Sequence, residues 1–141
     1  MISKRSGSGA HSSLLIGSRQ RVLFDPAGSF QATFTPERHD VLYGMTDPAL
    51  AAYIDFHARD SHDVIEQRLV VSAEVAERVT RLAMSHGPVP QAQCALSISR
   101  MLAGVPGFKS IRPGYFPRSL SRDFGRIPGV QSRVISDGKG P

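Results

Sequence analysis

Hydrophobic residues in this chain change their spacing along its length, and that change limits the folds open to it. The first third carries short apolar runs cut by turn residues. In HSSLLIGSRQRVLFDPAGSF, Ser12 to Ile16 and Val22 to Phe24 flank Gly17-Ser18-Arg19-Gln20, and Asp25-Pro26-Ala27-Gly28 closes the second run. That pattern predicts a β-hairpin with a four-residue loop and a turn behind it. A third strand is expected over Asp40 to Tyr43, stopped by Gly44.

From Asp47-Pro48 onward the spacing becomes helical. Aspartate can accept hydrogen bonds from free amides, and proline suits the first helical position because its missing N–H has no partner there. Leu50, Tyr53, Ile54 and His57 share one face of this helix. Residues 63 to 71, DVIEQRLVV, return to alternation and predict a strand burying Ile65, Leu69 and Val71. A second helix over about 73 to 85 groups Val75, Val79, Leu82 and Ala83 before Gly87-Pro88 ends it. A third runs from about Gln91 to Ala103, and a short helix is expected at Pro117 to Phe124. This order predicts an α+β fold, an antiparallel sheet with helices packed on it.

The chain has 141 residues, enough for one domain with a real core. Residues 1–10, Gly/Ser-rich and basic, predict a disordered lead; 11–125 predict the single folded domain; 126–141 predict a flexible tail. The net charge of +5 comes from 17 basic and 12 acidic residues, with Lys4, Lys109 and Lys139 the only lysines. The arginines are scattered without a run or interleaved aromatics, which argues against a specific nucleic-acid module. Leu14-Leu15-Ile16 is too short for a signal core or a membrane span. One cysteine cannot form an internal disulfide, so no oxidising compartment is required and the cytoplasm is the default expectation. The oligomeric state is not legible.

The chemistry centres on that cysteine, Cys94. Cys94, Ile98, Met101 and Val105 follow at steps of four, three and four, which points the thiol at the protein body. One reading is therefore a buried thiol packing as a small hydrophobe. The other is a nucleophile. Pro88 and Pro90 hold the approach extended and place Cys94 in the opening helical turn, where free amides and the helix dipole favour a thiolate. Small neighbours, Ala92, Ala95 and Ser97, leave the sulfur room, and His11 stands at a strand start as a base.

The order AHSSLLI, RVLFDPAGSF, HDVLYGM, then QCALSISRML resembles the circularly permuted NlpC-type papain-like cysteine hydrolases, the branch of YiiX-like proteins and lecithin:retinol acyltransferase relatives. There the histidine strand precedes the cysteine helix, the reverse of ordinary papain order. The likeness spans roughly residues 10 to 125. It implies a permuted papain-like arrangement, Cys94 as nucleophile, His11 as base and a polar orienting residue on the neighbouring strand. Asp25 is the candidate for that third role, with a plain turn aspartate as the alternative. The implied substrates are peptide, peptidoglycan-fragment or lipid-ester bonds, with no cofactor and no metal.

Other residues weigh less. His57 on its helix reads as structural. His57, Asp60, His62 and Asp63 hint at a metal, but a spacing of five is poor on a helix and no second cluster accompanies it. His39 and His86 fall in loops, with His86 the reserve base. Tyr115 and Phe116 suit a packed turn or a cleft wall. A non-catalytic binding domain with a buried cysteine, or a basic adaptor for an acidic partner, are the competing functions.

Overall fold

The computed structural model describes residues 1–7, 9–59 and 61–137. They form an α+β fold with two four-stranded sheets, and every strand pairing is antiparallel. The first sheet has the order β2 (Gly9–His11), β1 (Ile2–Lys4), β7 (His62–Arg68), β8 (Gln131–Ile135). The second has the order β3 (Leu14–Gly17), β4 (Arg21–Phe24), β6 (Val41–Leu42), β5 (Glu37–Arg38). Only Ser12 and Ser13 separate β2 from β3, so the chain steps from one sheet to the other next to His11.

The β3–β4 hairpin forms as its pattern demands, in the register Leu14↔Phe24 to Gly17↔Arg21. Gly17 is paired, so the loop is the three residues Ser18 to Gln20 rather than four. Val22 and Phe24 face one side and join Ile16 and Val41 in a core with Val79, Ala83, Ala95, Ile98 and Leu102. These come from α2 (Ala73–Ser85) and α3 (Cys94–Ala103). Leu23 faces the other side and packs with Leu42, Met45, Ala49 and Tyr53, the last two from α1 (Asp47–His57). The sheet is thus covered on both faces, which is why β4 is apolar at consecutive positions.

Helices α1 and α2 begin as local chemistry predicts. Thr46 Oγ1 accepts from Ala49 N at 3.3 Å with Pro48 in the first turn, and Ser72 Oγ accepts from Val75 N at 3.2 Å. The α1 cap is therefore Thr46 rather than Asp47. Helix α4 (Pro117–Gly125) lies where a short helix was expected.

Three expectations differ. Within the expected disordered lead of 1–10, β1 is a central strand, and Ile2 packs with Ala58 and Val64 in a small core. Within the expected tail of 126–141, β8 pairs with β7 over five positions from Val64↔Ile135 to Arg68↔Gln131, and residues 138–141 lie outside the described residues. Both segments are short and polar, so neighbouring strands supply the order that their own sequence lacks. Finally, β7 ends at Arg68 and buries Val64 rather than Ile65; Val71 is half-exposed and Val70 almost fully exposed.

Candidate active site

The three residues singled out as catalytic come together where the two sheets meet. His11 closes β2, Asp25 follows β4, and Cys94 opens α3. His11 Nε2 lies 2.6 Å from Asp25 Oδ1. The same imidazole lies near enough to the Cys94 thiol for each group to shift the other's pKa. With Nε2 taken by the carboxylate, Nδ1 is the nitrogen left for sulfur.

Asp25 does more than start a turn. It does start one: Gly28 N donates to Asp25 O at 3.0 Å, with Ala27 at φ 55° in the third turn position. Its carboxylate, however, is turned inward and is almost fully buried. The Tyr53 hydroxyl lies 2.9 Å from Asp25 Oδ1 and 2.9 Å from Ser13 Oγ. Having one proton, Tyr53 donates to the carboxylate and accepts from Ser13. Burial, then the charge of Asp25, push the Tyr53 phenol well above its ordinary pKa, which keeps it a donor. Gly28 is packed so closely on Asp25 that a methyl group there would overlap the carboxylate.

Cys94 begins its helix outright. Ala92 sits at φ 64°, a left-handed conformation that prevents the helix from starting at Gln91. Unlike α1 and α2, α3 has no side-chain cap, so its first amides are left for another acceptor. The backbone amides of Ser12 and Ala95 favour the thiolate form of the sulfur. Burial pushes the thiol pKa up, but the neighbouring His11 and those two amides outweigh it and hold it below its ordinary value. Burial works against the His11 imidazolium too; Asp25 and Cys94 overcome it and raise His11 to about 9. Together these shifts favour a thiolate–imidazolium pair. The rest of α3 is buried on nearly all sides rather than along one stripe, and Cys94 itself is 7% exposed.

His11 and Cys94 line a pocket of about 410 Å³, shared with Pro26, Phe56, His57, Arg59, His62 and Gln91. Sequence reasoning missed Tyr53 as a partner of Asp25, because its spacing marked it only as a core residue. It also undervalued His57. That ring stacks on His11 with centroids 6.0 Å apart and meets Tyr53 edge-on at 4.6 Å. Burial, with His11, Arg59 and His62 adding to it against Asp25, lowers the His57 pKa to about 4, so it stands neutral beside the His11 cation.

The remaining candidates lie elsewhere. His86 is exposed and packs on Phe24 with centroids 5.5 Å apart, and His39 is exposed in a turn; neither lines the pocket. Tyr115 and Phe116 are exposed rather than packed, and they do not line the pocket either. Among the described residues no group of three metal-ligating side chains occurs, and Asp60, named with His57 and His62 for that role, lies outside them. Nor is any helix among the described residues long and apolar enough to cross a membrane. Comparison of the chain with known protein families, curated proteins and solved structures found no match.

Proposed function

We propose that this chain is a thiol hydrolase or acyltransferase of permuted papain-like arrangement, acting on an amide or ester through Cys94, His11 and Asp25. The observation that carries the reading is one imidazole held at 2.6 Å by a buried carboxylate and lining the same pocket as the sole cysteine, whose thiol it influences. The chain order histidine, aspartate, cysteine supports the permuted arrangement.

In this mechanism the Cys94 thiolate attacks the carbonyl carbon. The S–C bond forms as the carbonyl π electrons move to oxygen, and first-turn amides of α3, that of Cys94 among them, receive the oxyanion. Collapse expels the amine or alcohol, which takes the proton from His11 and leaves a thioester. A water, or an alcohol or amine acceptor, then gives its proton to neutral His11 and attacks the thioester, and the thiolate leaves. Asp25 orients the imidazole and stabilises its charged form, while Tyr53 orients Asp25. Amide bonds in peptides or cell-wall fragments are the preferred substrate class, with lipid esters second.

One observation favours a different reading. Cys94 is only 7% exposed, as a structural cysteine in a non-catalytic binding domain would be. The pH dependence of Cys94 alkylation by iodoacetamide, from pH 4 to 10, separates the two. A nucleophilic pair reacts in the folded protein already at pH 6, and His11→Ala moves the midpoint up toward the ordinary thiol value of about 8.5. A thiol inert until the protein unfolds rejects the enzyme.

A further inference from the structure

The pocket contains an arginine for which the reaction above has no use. Arg59 follows α1 and is bridged to His62 by two backbone hydrogen bonds of 3.0 Å each, Arg59 N to His62 O and His62 N to Arg59 O. Residues opposed in such a bridge send their side chains to the same side, and both line the pocket. The Arg59 side chain is held in place. Its Nε donates to Phe56 O at 2.6 Å, and its guanidinium carbon stands 4.7 Å from the centre of the Phe56 ring. The two terminal nitrogens remain, and a guanidinium so fixed suits a planar two-oxygen acceptor.

Among the described residues no carboxylate pairs with Arg59, and those lining the pocket include His11, His57 and His62 but neither Asp nor Glu. The charge of Asp25 is directed at His11 and Tyr53. His11, in turn, is matched by Asp25 and the thiol. Among the described residues one permanent cation is therefore left over in a space of about 410 Å³, enough for one side-chain-sized group beside the reacting carbonyl. A single guanidinium matches a singly charged carboxylate better than a doubly charged phosphate.

We propose that Arg59, with His62 beside it, binds a free carboxylate of the substrate within about one residue's length of the bond that Cys94 attacks. This rests on the thiol-hydrolase reading and narrows it: the substrates are anionic acyl compounds, such as peptides with an acidic or carboxy-terminal residue at the cleavage site.

The test compares two thiol probes of similar size on the full chain, neutral N-ethylmaleimide and anionic 3-maleimidopropionate, with iodoacetamide as a reference on the same samples. The native protein reacts faster with the anionic probe, by about tenfold at low salt. That preference disappears in Arg59→Gln and survives in part in Arg59→Lys. It is unchanged in Arg19→Gln, an exposed arginine outside the pocket. It also shrinks in the native protein as salt rises from about 0.05 to 0.5 M, a readout that needs no variant to fold. Reaction with iodoacetamide but no anionic preference, or a preference that Arg59→Gln leaves intact, overturns the carboxylate site and spares the thiol mechanism. Inertness toward iodoacetamide overturns both.

Discussion

At the scale of single residues, the site depends on backbone conformations that its residue types do not favour. Ala27 and Ala92, at φ 55° and 64°, both line the pocket, although positive φ costs alanine about 1 kcal/mol relative to glycine. Strain at two positions that flank one sulfur fits a site whose shape is held by its surroundings. Gly28 is constrained differently, by the space its neighbour Asp25 leaves it. Gly28→Ala drives a methyl into the Asp25 carboxylate, so it is expected to cost about 1–3 kcal/mol and to turn the carboxylate away from His11. Followed by NMR, the His11 titration in that variant moves down from about 9 toward its ordinary value near 6.5. A titration left near 9 would show that Asp25 does not hold the imidazole charge. Protons also reach the fold through His57. Its folded pKa, lowered to about 4 by burial, means the native state binds fewer protons than the unfolded chain as pH falls from about 6.5 to 4. Stability therefore declines across that window. His57→Gln removes that part of the decline, on the order of 1 kcal/mol for a partly exposed ring, read as the difference in urea midpoints at pH 7 and 4.5. His11 has the opposite sign: its stabilisation is complete below about 6.5 and is lost as pH rises through about 9.

At the scale of elements, the approach to α3 decides where the thiol lies. Two hydroxyl caps make α1 and α2 start where they do, and α3 starts without one. Its entry is tied down from another element instead. Asp40, just before β6, accepts from Val89 N at 2.8 Å through its side chain, while its backbone oxygen accepts from Asp25 N at 2.8 Å. One residue thus positions both the carboxylate segment and the cysteine segment. Asp40→Ala leaves the amide of buried Val89 without its acceptor, at a cost of about 1–3 kcal/mol. Cys94 alkylation at pH 6 should slow in that variant and recover in Asp40→Asn, which keeps the acceptor; equal rates in all three proteins would show that the entry is fixed without it.

At the scale of the whole molecule, the catalytic candidates come from both sheets and from the start of α3. His11 belongs to the sheet built on β1, and Asp25 to the hairpin sheet. Because β1 lies between β2 and β7, removing residues 1–5 takes away the strand that holds β2. The expected result is a lower melting temperature together with loss of fast alkylation at pH 6. A truncated protein with native reactivity would show that Ser12 and the Asp25 bond suffice to place His11. The β7–β8 pairing raises the same point at the other end. Strands of three to five largely polar residues are not stable alone and form only as parts of a sheet.

Where a local signal exists, the sequence by itself determined the outcome: the hairpin from two apolar runs around Gly17 to Gln20, and α1 and α2 from their apolar spacing; Cys94, His11 and Asp25 were singled out by residue type, chain order and a family resemblance. Hydrogen-bonded caps, turns and periodic burial act over a few residues, so they are legible in a few residues. Tertiary structure alone decided that β1 and β8 are strands, that Ala92 delays the helix until Cys94, and that Tyr53, His57 and Arg59 surround the site. Those facts depend on partners distant in the chain, such as Val64 for Ile2 and Ile135 or Asp25 for Tyr53, and no local pattern encodes a partner brought close only by folding.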